Sequence, residues 1–194
     1  MTNTYPRPET MEETDVVDLL LAQHALIRDM FDEVEKATPG ERPEAFQRLV
    51  RMLAVHETAE EEVVHPYARL KLEGGDAVVD DRLAEEREAK ELLMRMDQAG
   101  PEDPQFLTNL ALLRAAVEAH ARSEERYEFQ KLRAYASDAE RRAMAAGVKA
   151  AEAMAPTHPH PGVESATKNL LVGTPVAMVD RIRDVIRQAM GKNG

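Results

Sequence analysis

Six residues carry the chemistry that this sequence could perform. His24, His56, Glu60, Glu86, His120 and Glu124 each stand where a helical apolar stripe should place a core residue. The run "AVHETAEEEVVHPY", residues 54–67, shows the pattern plainly. Phe46, Leu49 and Leu53 lead in at steps of 3 and 4, Val63 and Tyr67 follow, and His56 and Glu60 fill the same stripe. A carboxylate moved into a dry interior costs several kcal/mol even after relaxation, against a domain stability of about 5–15 kcal/mol. Glu60, Glu86 and Glu124 therefore need positive charge between them, and few Lys or Arg point inward to supply it. A cation held by imidazole and carboxylate does so. Three His with three Glu exceed the needs of one tetrahedral zinc. Two octahedral-type metals fit better: facing helices that each give a carboxylate, two of them with an i,i+4 His/Glu pair, provide the ligands of a pair of iron ions in a bundle core.

Those residues must come from elements that meet. Four segments of helical periodicity are separated by strong breakers. The first begins after Thr14 or Asp15, carries Val17, Leu20, His24, Ile27, Phe31 and Val34, and ends before "TPGERP". The second starts near Pro43 and runs to Gly74 and Gly75. The third follows Asp76, with Val79, Leu83, Glu86, Leu93 and Met96 inward, and stops at "AGPEDP". The fourth opens with Asp103 as cap and Pro104, then shows Phe106, Leu110, Leu113, Val117, His120, Glu124 and Tyr127. Long helices with short links pack as antiparallel neighbours, which predicts an all-α fold, an up-down-up-down four-helix bundle over residues 14–134. At a rise of about 1.5 Å per residue, His24 and His56 lie at one level below the first loop, and Glu60 and Glu86 share a level above the second.

The rest of the chain differs in character. Residues 1–13 read as a disordered or extended arm. Residues 135–194 read as a helical extension: a capping box from Ser137 to Glu140 opens an Ala-rich helix that ends at Pro156, and a Pro-rich connector spans 156–162. Met178, Val179, Ile182, Ile186 and Met190 then mark an amphipathic segment suited to packing on the bundle, on a second copy in a homodimer, or on a protein partner.

Composition narrows the chemistry further. Only 4% of residues are aromatic although 43% are hydrophobic, and the richness in Ala, Glu, Leu and Arg favours helices. A formal charge of −11 opposes a nucleic-acid partner, because phosphate contacts need clustered Lys and Arg. With no cysteine, disulfides, iron–sulfur clusters, thiolate zinc sites and thiol nucleophiles are excluded. The opening "MTNTYPRPETMEETD" lacks the apolar region of a secretory signal, and no run of about 18 apolar residues occurs. The expectation is a cytoplasmic protein with no membrane partner.

The elements "LLAQHALIRDMF" around His24, "HETAEEEVVHP", "AEEREAKELL" around Glu86 and "EAHARSEERYEF", with its second His-x-x-x-Glu, resemble those of the hemerythrin-like, or HHE cation-binding, domains over Asp15 to Ala134. The resemblance implies two non-haem Fe ions with an oxo or hydroxo bridge, Mn or Zn being substitutes. It implies terminal ligation by His24, His56 and His120, bridging by Glu60 and Glu124, and Glu57 as a further candidate. It also implies small-molecule partners (O2, peroxide or NO) and a role in oxidative-stress defence or gas and redox sensing, as a carrier or as a di-iron oxidoreductase. The alternative is a sensor module whose C-terminal segment contacts a partner without turnover. The sequence departs from the oxygen carriers at Glu86, where they present histidine. Either Glu86 is a ligand, and the extra anionic donor favours ferric iron and lowers the potential, or Arg82 and Lys90 pair with it on an ordinary helix surface.

Other candidates rank lower. "HETAE" is not the His-Glu-x-x-His of zinc proteases, because position 60 is Glu. His65 lies off the inward stripe, beside Pro66 at an expected bend, the alternative being a role in supporting the ligands from behind. Glu61, Glu62 and Glu125 read as solvated faces, with Glu125 an alternative to Glu124 as a ligand. Tyr67 and Tyr127 read as core residues, and His158 and His160 as part of the exposed connector.

Overall fold

The computed structural model describes residues 15–154, all of whose regular structure is helical. The N-terminal arm, the Pro-rich connector and the amphipathic C-terminal segment lie outside the described residues. Helix α1, Val16–Lys36, is capped by Asp15, whose carboxylate accepts from the Val17 N–H at 2.9 Å. Helix α2, Arg42–Ala59, carries Pro43 in its first turn, where a missing N–H costs nothing. It continues through a π turn, Glu60–Val64, into α3, His65–Lys71. Pro66 accounts for that break, because its ring can neither donate to the preceding turn nor fit beside the carbonyl four residues back.

A tight turn at Gly74, with φ of +71°, leads into α4, Gly75–Ala99. Gly75 is required there, since a Cβ would sit 2.1 Å from the Ala68 carbonyl oxygen. Helix α5, Phe106–Ser123, starts two residues beyond the expected Pro104; Asp103 instead accepts from the Gln105 and Phe106 N–H groups in a turn that precedes it. A second π turn, Glu124–Glu128, joins α5 to α6, Phe129–Tyr135. The expected capping box opens α7, Asp138–Met154: the Glu140 carboxylate accepts from the Ser137 N–H at 2.9 Å, and the Ser137 hydroxyl accepts from the Glu140 N–H at 3.3 Å.

Cross-links between helices run in opposite sequence directions, as antiparallel neighbours require. Gln23 meets His56 and Glu33 meets Arg48 between α1 and α2. Arg69 meets Asp80 and Glu61 meets Lys90 between the second and third long segments. Asp32 meets Arg114 and Asp18 meets Arg133 between the first and fourth.

The apolar core falls into two large clusters and a small third one of Ala68, Leu72 and Val79. One cluster joins Val17 and Leu20 of α1 to Val63, Val64, Phe129 and Leu132, with Met144, Ala145 and Val148 of α7. The other joins Ile27, Phe31, Phe46, Leu49, Leu53, Leu93, Met96, Phe106 and Leu113. Between them, in sequence and in space, stand the buried polar residues. Among the described residues no helix is long and apolar enough to cross a membrane.

Candidate metal centre

Each inward polar residue stands at the junction of the two apolar clusters. His24 follows Leu20 by one helical turn and precedes Ile27; His56 and Glu60 lie between Leu53 and Val63; His120 and Glu124 lie between Leu113 and Phe129. All six residues singled out by spacing are buried, with exposures from 0% for Glu60 to 8% for His120. One ligand atom from each of His24, His56, Glu60 and Glu124 lies within 4.8 Å of the others.

The three histidines are oriented alike. The Nδ1 of His24 pairs with Glu125 Oε1 at 2.9 Å, that of His56 with Gln23 Oε1 at 2.7 Å, and that of His120 with Glu85 Oε2 at 3.1 Å. Each partner oxygen engages Nδ1 and so directs Nε2 inward. There the Nε2 atoms of His24 and His120 approach opposite oxygens of Glu124, at 3.3 and 3.4 Å, and that of His56 approaches Glu60 at 3.4 Å. These approaches lack hydrogen-bond alignment: Nε2 of His24 and His120, and both oxygens of Glu60 and Glu124, are buried without a hydrogen-bond partner. Buried polar atoms left unsatisfied are costly. Facing imidazole nitrogens and carboxylate oxygens of this kind are the donor set of an iron-, manganese- or zinc-class cation, so the residues present fit a metal.

The other expected residues are placed differently. Glu86 is buried, but its oxygens are engaged: Oε1 meets His65 Nε2 at 2.9 Å and Oε2 meets Lys90 at 3.4 Å. Arg82 pairs with Glu85 rather than Glu86. Glu57 faces Lys90 at 3.3 Å. Glu125, partly exposed as expected, also holds His24 and lies 3.7 Å from Arg28.

Two corrections come from the π turns. His65, expected off the inward stripe, is 3% exposed, and Tyr127, expected in the core, is 53% exposed. A π turn holds one residue more than an α turn, so each break advances the inward face by one position. Glu128 takes the inward place expected for Tyr127, with no exposure, and His65 meets it at 3.5 Å through Nδ1. Pro66 marked the first break in the sequence; no comparable signal marks the second.

Burial and crowding set the charges of this layer in the metal-free chain. Burial pushes the Glu60 carboxyl well above the carboxylate range, and the charges of Glu124, Glu86 and Glu128 add to the effect. Burial also lowers His56 to about 3, with His24 opposing a second positive ring. For Glu124, the close approach and charge of His120 and His24 outweigh burial and hold it below the usual range. Burial raises Glu57 to about 7 against the pull of Lys90.

The hemerythrin HHE cation binding domain model matches residues 15–155. An uncharacterised hemerythrin-like protein of Schizosaccharomyces pombe is 23% identical over 178 residues, covering 90% of this chain and 88% of the relative. A DNA nickase of Nostoc sp. is 28% identical over 142 residues, covering 73% of this chain but 40% of the nickase, so the shared region is less than half of that protein. No solved structure matches the chain.

Proposed function

The chain belongs to the hemerythrin HHE cation-binding domain family, and from that premise we propose a non-haem di-iron protein that binds O2, or reacts with O2, peroxide or nitric oxide, in oxidative-stress defence or gas and redox sensing. One observation carries the reading: unpartnered imidazole nitrogens and carboxylate oxygens converge in a buried layer between two apolar clusters. His24, His56, Glu60, His120 and Glu124 would hold the metal. Bound iron supplies one-electron chemistry toward a small oxidant.

The chain's own residues select what reaches that layer. A cavity of about 20 Å³ is lined by the three histidines, by Ile27, Leu53, Ala89, Val117 and Ala121, and by the charged Arg28, Glu57, Glu85, Glu86 and Glu118. A single water needs about 10–15 Å³ of such space, so the cavity has room for a guest of a few atoms beside the histidines. Glu125, Gln23 and Glu85 fix the ring nitrogens, so the histidines need no reorientation when a metal arrives. The nickase activity in the name of the cyanobacterial relative is not carried over, because a net charge of −11 opposes a phosphate backbone.

The test is metal content per chain on protein grown in iron-rich medium, read with the absorption spectrum before and after O2 or peroxide. About two irons per chain, as the carboxylate-bridged bundles hold, and a spectrum that responds to the oxidant are expected. A folded, metal-free protein whose melting temperature ignores chelators overturns the reading.

A further inference from the structure

We propose that the core holds a cation position built from His65, Glu128 and Glu60, and that Glu86 acts by orienting His65 rather than as a donor to the metal. The proposal rests on the di-iron reading above and says where its second metal sits.

The first support is a repeated construction. His24, His56 and His120 each have one ring nitrogen held by an oxygen at 2.7–3.1 Å and the other turned toward a buried glutamate at 3.3–3.4 Å. His65 repeats this with its nitrogens exchanged: Nε2 is held by Glu86 at 2.9 Å, and Nδ1 faces Glu128 at 3.5 Å. Metal-bound histidines have their second nitrogen fixed by a carboxylate or carbonyl. Glu86 stands to His65 as Glu125 stands to His24 and Glu85 to His120. Lys90, at 3.4 Å, keeps Glu86 in that place from the outer side.

The second support is what remains unsatisfied. Glu128 has no exposure, and neither of its oxygens has a hydrogen-bond partner; the same holds for Nδ1 of His65 and both oxygens of Glu60. Glu60 opens the π turn that His65 closes, the His65 N–H bonding to the Glu60 carbonyl. Two buried carboxylates and an imidazole nitrogen, His65 and Glu128 facing each other at 3.5 Å, are donors of the kind that a divalent iron-class cation takes.

The backbone supplies the third support. In the two π turns the N–H of His65 bonds to the Glu60 carbonyl and that of Phe129 to the Glu124 carbonyl. Each turn keeps one inward glutamate and adds a new inward donor beyond it, His65 on one helix and Glu128 on the other. Such single-turn widenings occur mostly where a function uses them.

The experiment titrates the metal-free, full-length protein with Co2+, reading stoichiometry by calorimetry and the d–d absorption. Wild type should take up two Co2+. Glu128→Leu, which has the bulk of the acid without a donor atom, and His65→Gln should each take up one. Glu86→Gln should still take up two, the second about 10–100-fold more weakly, as losses of an orienting partner do. If Glu128→Leu and His65→Gln keep both ions at wild-type affinity while Glu86→Gln loses one, Glu86 is the donor and the proposal is overturned. Should either variant fail to fold, the double variant His65→Leu with Glu128→Leu decides and should take up one Co2+, because replacing both members of a buried ion pair by apolar residues is commonly neutral or stabilising. A wild type that binds no Co2+ and purifies without iron overturns the di-iron reading itself, a different failure from two ions bound by Glu128→Leu.

Discussion

Replacing Glu60 by glutamine separates what the metal-free core tolerates from what the metal needs. The Glu60 carboxyl is wholly buried, and burial together with the charges of Glu124, Glu86 and Glu128 raises it well above the carboxylate range. A carboxyl of this kind keeps in the folded chain a proton that it gives up in the unfolded chain. Stability of the metal-free protein therefore falls as pH rises above 4.5, by up to about 1.4 kcal/mol per pH unit, until the folded value is passed. Glutamine has the shape of the protonated acid and does not titrate, so Glu60→Gln lacks this slope. From pH 5 to 6 the wild type should lose roughly 1 kcal/mol relative to the variant, or roughly 2–4 °C of melting temperature for a chain of this length. Metal inverts the order: a cation at 100 times its Kd adds about 2.7 kcal/mol to the wild type, and the variant, with an amide in place of a carboxylate, gains less. Thermal unfolding of both proteins at pH 5, 6 and 7, first in chelator and then in Co2+, checks both signs. Parallel melting curves in chelator would refute the assignment of a bound proton to Glu60, and an unchanged order in Co2+ would remove it from the donor set.

His65 carries the opposite sign. Burial disfavours its charge, but Glu128 and Glu86 outweigh burial and bring it up to about 10. Its contribution to the metal-free protein is therefore complete below pH 6.5 and lost as pH rises through 10; urea midpoints of wild type and His65→Gln should differ most near pH 6 and converge above 10, and a gap independent of pH would count against the pairing. His56→Ala should abolish iron binding, read as metal per folded chain by mass spectrometry; retained iron would exclude His56 as a ligand. Ser137→Ala breaks the capping box of α7 and should cost about 1 kcal/mol, measured by urea unfolding, with metal content unchanged. Phe46→Ala empties a position with 1% exposure beside Phe106 and should cost about 3–5 kcal/mol in the same assay; a loss under 1 kcal/mol would mean that the cluster collapses around the gap.

Much of this arrangement is legible in the residues because helix geometry has a fixed period. Val17, Leu20, His24, Ile27, Phe31 and Val34 are all buried along α1, since that helix runs unbroken and the count of 3 and 4 keeps pace with it. Glu86 is legible as an inward residue for the same reason, but not its partner: His65 comes from another helix, and no count along α4 can show which ring its carboxylate meets. The orienting roles of Gln23, Glu85 and Glu125 are hidden likewise. They lie at the edge of the stripe, where a carboxylate reads as solvated until the ring beside it is placed.

The periodic count fails where the backbone stops being an α-helix, and the failure bears on function. Past Glu60 and Glu124 a regular helix would send Tyr67 and Tyr127 inward; one residue added per turn turns Tyr127 out and brings His65 and Glu128 to face each other instead. The added turn weakens local hydrogen bonding and brings two more titratable side chains into the interior, so on stability alone it is a poor choice. The two apolar clusters can carry that cost because they close on either side of the polar layer, with Phe31 and Phe46 in one and Leu20 and Leu132 in the other all at 1% exposure or less. Two π turns at matching places, each opening on the glutamate of a buried His-x-x-x-Glu pair, set His65 and Glu128 to face each other, and that placement is what a cation between them would use.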